Sequence, residues 1–215
     1  MAERRIQEPM KITLRADSVE IEGYVNAVGR DSRTLTDEYG YPYVEQMQPG
    51  VFARAIAVAA ERSTPIKMLH NHNAAREIGD NATNLTLEED TIGLHAQAVV
   101  TDPEVIDLAR NRQLTGWSFG FRSLDKKEDY SSSGKRVIQT EIELVEVSII
   151  DDTMTPVYAG TSVHARADGK EEQLLTRAVG GEAIYTVVDR AELSKPPVDY
   201  SRYDTVINSL KGVRK

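Results

Sequence analysis

The chain contains no cysteine. That excludes disulfides, thiol nucleophiles and cysteine-ligated zinc. It has no run of about 18 apolar residues, so no membrane-spanning helix is expected. Its first residues, Met1-Ala2-Glu3-Arg4-Arg5-Ile6-Gln7-Glu8, lack the apolar segment of a secretory signal. Positive charge is short: 26 basic residues face 34 acidic ones, a formal net charge of -8. Nucleic-acid binders usually carry a basic footprint, so that class is disfavoured. Internal repeats and coiled-coil heptads are missing as well. These absences lead us to expect a soluble intracellular protein with neither nucleic acid nor membrane as a partner.

What is present suits one ordinary domain and a tail. The chain has 215 residues, of which 40% are hydrophobic and 28% charged, enough for a core and a well-solvated surface. The charge is uneven. From Arg166 onward there are 9 basic and 8 acidic residues, which leaves 17 basic and 26 acidic before it. We therefore expect a flexible N-terminus over 1–10, a folded domain over 11–165, and a partly disordered tail over 166–215.

Periodicity gives the elements. Lys11 to Ala16 and Val19 to Val28 alternate as strands. Tyr41 to Met47 reads as a short strand. After the break at Pro49-Gly50, Val51 to Arg62 has helical spacing, with Phe52, Ile56 and Ala59 or Ala60 on one face. Ile66 to His70 is strand-like. Asn84 to Glu88 and Gly93 to Val100 pair as a hairpin. Thr101-Asp102-Pro103 is a helix start, with a capping side chain and a first-turn proline, and the helix runs to about Asn111. Ser118 to Ser123 and Val137 to Ile150 read as strands separated by a polar loop over 126–135. A short helix is expected over 169–178. The pattern predicts an α+β, β-rich fold: a mostly antiparallel sheet or barrel flanked by helices.

Three places hold chemistry. Ser118 lies in Gly116-Trp117-Ser118-Phe119-Gly120-Phe121, His70 and His72 in Leu69-His70-Asn71-His72-Asn73, and Glu146 in Leu144-Val145-Glu146-Val147-Ser148. A hydroxyl, an imidazole and a carboxylate are the parts of an activated nucleophile. Each also has a plainer reading. Ser118 is not in a Gly-x-Ser-x-Gly elbow, and a serine before Phe-Gly-Phe taken alone is most often just a strand residue. His-Asn-His reads as a surface loop or as half of a metal site. If that segment is extended, both rings face the same way. Glu146 either faces solvent or sits partly buried beside a cationic or N–H partner, on a face it shares with Leu144 and Ser148. Gly116 and Gly120 read as helpers of an oxyanion site or as bulge residues. His95 and His164 are the other imidazoles.

Several segments together resemble one family. They are Ile21-Glu22-Gly23-Tyr24-Val25, Pro49-Gly50-Val51-Phe52, the His70–His72 segment with Ile78-Gly79, Gly93-Leu94, the Ser118 segment and the Glu146 segment. In this order, over roughly 12–160, they resemble the HK97-type prohead (capsid maturation) proteases of tailed phages. The resemblance implies an assemblin-like fold, related to the herpesvirus assemblins, and a serine endopeptidase. Such an enzyme cuts scaffold segments from the major capsid protein inside the immature capsid, in the host bacterial cytoplasm, and often cuts itself. Carried over by position, the family's histidine falls on His72 rather than His70, its serine on Ser118 and its acid on Glu146. The herpesvirus relatives use a second histidine as third member. Two departures stand out: Asn73 where the family has Asp, and Thr153-Met154, with Pro156 further on, where it has Pro-Ala. The resemblance implies no cofactor and no metal, and it allows a homo-oligomer. It implies acyl transfer: His72 takes the Ser118 proton, Glu146 orients the ring, and backbone N–H groups hold the oxyanion. The tail from about Arg166 reads as a scaffold or capsid contact removed by self-cleavage. Two other readings stand beside this one. One is a non-enzymatic capsid assembly or scaffolding protein with the same fold. The other is a β-rich metal-binding module using His70 and His72.

Overall fold

The structure, a computed structural model, describes residues 10–131, 134–154, 161–165, 171–180 and 183–188. In chain order the first elements are β1 (Met10–Leu14), β2 (Val19–Ala27), β3 (Leu35–Thr36), β4 (Pro42–Met47), α1 (Val51–Glu61), β5 (Lys67–His70) and β6 (Glu77–Asp80). There follow β7 (Leu85–Glu89), β8 (Gly93–Val100), α2 (Pro103–Arg110), β9 (Leu114–Ser131), β10 (Gly134–Asp151), β11 (Thr161–Ala165), β12 (Glu171–Gly180) and β13 (Ala183–Val187).

The strands form two open sheets, not a closed barrel. One runs β13-β1-β2-β8-β7; the other runs β11-β12-β9-β10-β4-β3, with β5 joined to β10 and β6 to β5. Pairing is mostly antiparallel, as expected. The exceptions among the described residues are β1 with β13, and β10 with both β4 and β5, which are parallel. β10 is the axis of the second sheet. Its long run holds β9 on one side, and β4 then β5 in succession on the other.

The alternation read in β1 and β2 is real: Ile12, Leu14, Val19, Ile21 and Val25 are buried. They join Leu94, Ala96, Ala98 and Val100 of β8 in one core with Trp117, Phe119, Phe121, Val147 and Ile149 of β9 and β10. Phe52 of α1 meets Phe119 edge-on at 5.4 Å, which ties the helix to the strand that carries Ser118. The start of α1 is capped from outside the helix. Glu89 accepts from Gly50 N at 2.5 Å and from Ala53 N at 2.8 Å. The start of α2 is capped by Asp102, which accepts from Glu104 N and Val105 N, as its sequence indicated.

Three expectations need correction. The polar stretch over 126–135 is no loop. β9 and β10 continue through it as a ribbon, with Lys135 on Glu128 and Arg136 on Asp129 across the strands. Both faces of the ribbon are wet, so alternation is absent there and cross-strand charge pairs replace it. The short helix expected over 169–178 is strand from Glu171, because β12 pairs along β9 from Leu175 to Gly180. Ladder hydrogen bonds outweigh a weak local helical preference. Third, Met10 is 4% exposed and already part of β1. The N-terminus before it, Pro156 and residues 189–215 lie outside the described residues. Within 166–215, β12 and β13 are paired into the two sheets.

Candidate active site

β10 assembles the site. Glu146 and Ser148 lie on it in register with Gly120 and Ser118 of β9. A register shift between Leu144 and Glu146 makes Val145 a bulge. Leu144 therefore stands beside Phe121 on the core face, while Glu146 turns to the other face. The shared face expected for Leu144 and Glu146 does not exist. Nor is Glu146 solvent-facing: it is 2% exposed.

β5 runs along the other side of β10 and ends at His70, opposite Ile149. The chain then turns. Asn71 and His72 both adopt left-handed conformations, with φ of 53° and 57°. Such a residue costs roughly 1–2 kcal/mol unless it is glycine, so the loop must be held. Asn71 N donates to Ile149 O at 3.0 Å, and Asn71 Oδ1 accepts from Asp151 N at 3.1 Å. His72 N donates to Ser148 Oγ at 3.2 Å. Asn73 Oδ1 accepts from Ala75 N at 3.0 Å, a role open to either an amide or a carboxylate oxygen. The substitution at 73 thus keeps the turn.

This turn separates the two imidazoles that an extended segment would align. His70 Nε2 lies 2.9 Å from Asp151 Oδ2, in a pair with side chains 8% and 5% exposed. His72 Nδ1 lies 2.7 Å from Glu146 Oε1, and its Nε2 lies 2.6 Å from Ser118 Oγ. Each histidine takes its own carboxylate, so the two do not form one ligand pair. His95 stands in the other sheet beside Glu22, and the His164 side chain lies outside the described residues.

Ser118, His72 and Glu146 therefore form a continuous relay. With Nδ1–H donated to the Glu146 carboxylate, Nε2 of the neutral ring carries the lone pair and can take the hydroxyl proton. The carboxylate has a further support. Ser148 Oγ donates to Glu146 Oε2 at 2.5 Å while accepting from His72 N. One hydroxyl so fixes both the acid and the backbone of the imidazole. Ser148 was visible beforehand only as a residue on the Glu146 face; its role depends on the left-handed turn. Asp151 was missed altogether. Burial pushes its carboxyl upward, but hydrogen bonds from Thr153 and Asn71, with His70 nearby, outweigh this and hold it below the usual aspartate value. Thr153 donates to it through both N and Oγ1, which shapes the turn where the family has Pro-Ala.

Gly120 has a definite task. A Cβ built there would lie 2.4 Å from Glu146 Oε1. The missing side chain clears the carboxylate's position, a steric role that neither the oxyanion nor the bulge reading anticipated.

Ser118 has no exposed surface. β12 lies along β9 with Ala178 opposite Ser118, and Ser118 Oγ is 2.7 Å from Arg177 O, to which it can donate. An apolar groove between α1 and the ribbon, bordered by Val58, Leu124 and Ile142, contains none of the three relay residues.

With this geometry in place, the comparisons add one positive finding. Residues 7–174 match the family model of the caudovirus prohead serine proteases. Comparison with curated proteins and with solved structures finds no significant match.

Proposed function

The chain belongs to the caudovirus prohead serine protease family, and on that premise we propose that it is a serine endopeptidase of capsid maturation. Its nucleophile is Ser118, its base His72 and its orienting acid Glu146. It acts inside the immature capsid, in the host bacterial cytoplasm, on scaffold segments of the major capsid protein, and it also cuts its own chain. The observation that carries this reading is the single imidazole bridging Ser118 at 2.6 Å and Glu146 at 2.7 Å.

The mechanism follows from the relay. His72 Nε2 takes the Ser118 proton as Oγ attacks a peptide carbonyl carbon. Glu146, shielded from water, stabilises the imidazolium that forms. The ring then passes the proton to the leaving amine, and water releases the acyl group by the same steps in reverse order. Ser148 keeps the acid and the ring in register throughout.

The test is co-expression with the major capsid protein of the same phage. Ser118→Ala and His72→Ala should each abolish cleavage, with thermal melting showing that the fold is kept. His70→Ala, which breaks only the Asp151 pair, should retain far more activity than His72→Ala. Equal losses at the two histidines would mean that the base is misassigned. Cleavage that persists in Ser118→Ala would favour the non-enzymatic scaffolding reading.

A further inference from the structure

We propose that β12 occupies the substrate cleft as the chain's own substrate, that the bond presented to Ser118 is Arg177–Ala178, and that Glu45 selects a basic side chain just before the cut. The proposal rests on the peptidase reading above and goes further by naming the bond and the pocket.

The first observation is the seating. β12 adds as an antiparallel strand along β9, with Leu175 to Gly180 opposite Phe121 to Gly116. Adding an extended strand to a sheet edge is a general way to bind a peptide. Ser118 Oγ lies 2.7 Å from Arg177 O. The carbonyl carbon is one bond of about 1.23 Å beyond that oxygen, so it lies within about 4 Å of Oγ. A near-attack distance is about 3–3.5 Å. The atom that faces Oγ is the carbonyl oxygen, so the Arg177 peptide must tilt to turn its carbon toward Oγ before attack.

The second observation is the pocket. Arg177 stands opposite Phe119, so its side chain leaves on the face away from His72. Its guanidinium lies 5.5 Å from the Phe121 ring centre. Nε and a terminal nitrogen donate to the two Glu45 oxygens at 2.5 and 3.0 Å. Gln139 Nε2 also donates to Glu45, at 3.0 Å, and Ser123 Oγ donates to Gln139 Oε1 at 2.5 Å. The Arg177 and Glu45 side chains are 8% and 4% exposed. Glu45, Gln139, Ser123 and Phe121 belong to β4, β10 and β9, so the domain builds this pocket apart from β12. A buried carboxylate is costly without a cation, and the planar fork of arginine fits it in two contacts. An uncharged residue before the cut would leave Glu45 with Gln139 as a donor but no cation.

The step balances. Ser118 Oγ bonds to the Arg177 carbonyl carbon and its proton passes to His72 Nε2. The Arg177–Ala178 C–N bond breaks, and His72 gives the proton to the Ala178 nitrogen. A water then adds to the acyl carbon and gives its proton to His72. The ester bond to Oγ breaks, Ser118 recovers a proton, and Arg177 ends in a carboxylate. Until this happens β12 covers Ser118, so cleavage of other chains waits on the segment leaving. Those substrates should also be extended segments with arginine or lysine before the cut.

The test uses the full chain, with intact mass and N-terminal sequencing. The wild-type protein should yield a fragment beginning Ala178-Val179-Gly180, and Ser118→Ala should yield none. Arg177→Gln should slow this cut by about 30-fold or more, the usual consequence of leaving one member of a buried, hydrogen-bonded charge pair alone. Arg177→Glu should slow it further, and adding Glu45→Arg should restore part of the rate. A synthetic peptide of residues 171–184 supplies a second arm that needs no folded variant. As given or with Arg177→Lys it should be cut in trans by the wild-type chain, whereas with Arg177→Gln or Arg177→Glu it should resist. Ser118-dependent cleavage of capsid protein with the 177–178 bond intact would overturn this proposal alone. So would a wild-type rate in Arg177→Glu. No Ser118-dependent cleavage of any bond would overturn the peptidase reading and this proposal with it.

Discussion

Replacing Gly120 with alanine tests the site's geometry without removing any polar group. Its backbone angle does not demand glycine, so the whole effect should come from one added methyl. That methyl would stand 2.4 Å from Glu146 Oε1, 3.1 Å from Cδ and 3.2 Å from Cγ, where ordinary contact begins at 3.4 Å. The carboxylate must retreat by about 1 Å. It is not free to do so cheaply, since it is 3% exposed and held by His72 at 2.7 Å and Ser148 at 2.5 Å. Overpacking of this kind costs roughly 1–3 kcal/mol of stability. The larger effect should fall on the rate, because a misplacement of about 1 Å near reacting groups can cost about 100-fold. The assay is the Ser118-dependent cleavage rate, read beside the thermal midpoint. A Glu146→Ala background gives the control. With no carboxylate to displace, adding Gly120→Ala should change the rate little, so the two losses should be strongly non-additive. A wild-type rate in Gly120→Ala would refute the reasoning. The same loss in both backgrounds would show that the methyl acts on something other than Glu146.

Two further outcomes concern stability. The Asp151 carboxyl is held below its usual pKa, with burial opposing and hydrogen bonds from Thr153 and Asn71 prevailing. A depressed carboxylate contributes stability above its unfolded value and loses it as pH falls through the folded one. Below about pH 4 the urea midpoint should therefore fall more steeply in the wild-type protein than in Asp151→Asn, and parallel acid limbs would contradict this. Glu89→Ala should remove the cap that spans Gly50 N and Ala53 N and cost about 1–2 kcal/mol by urea unfolding; an unchanged midpoint would show that the start of α1 holds without it.

How far the sequence could be read depended on contrast between two faces. β1, β2, β8 and both helices each have one wet face and one dry face, and periodicity found them. Where contrast vanishes the reading failed. The ribbon over 126–135 has charged residues on both faces, and its sequence reads as a loop. β9 from Trp117 to Phe121 and β10 from Val147 to Asp151 are buried on both faces, so strand could be seen there but not which side each residue took. The bulge at Val145, which decides the face of Glu146, leaves no mark in composition. His72, Ser118 and Glu146 were picked out by family resemblance; on composition alone each kept a plainer reading. Ser148 and Asp151 are ordinary strand residues until the turn at Asn71-His72 gives them partners.

The placement of the relay explains where it is firm and where it is weak. Ser118, Ser148, Gly120 and Glu146 belong to adjacent strands, and the β9–β10 ladder fixes their spacing. The imidazole does not share that security. It hangs on two successive left-handed residues, whose conformational cost the bonds from Asp151 N, to Ile149 O and to Ser148 Oγ must offset. Disturbance of the β10 end near Asp151 should therefore reach His72 before it reaches Ser118 or Glu146. The strand at the open side of β9 obeys a stricter rule. Moving an extended segment by one residue exchanges its two faces, so a shift of β12 would move Arg177 away from Glu45 and withdraw its carbonyl from Ser118 together. One register satisfies both contacts at once, the Arg177–Glu45 ion pair and the Arg177 carbonyl beside Ser118 Oγ, so the proposed choice of bond rests on an ionic contact on the far face of the sheet.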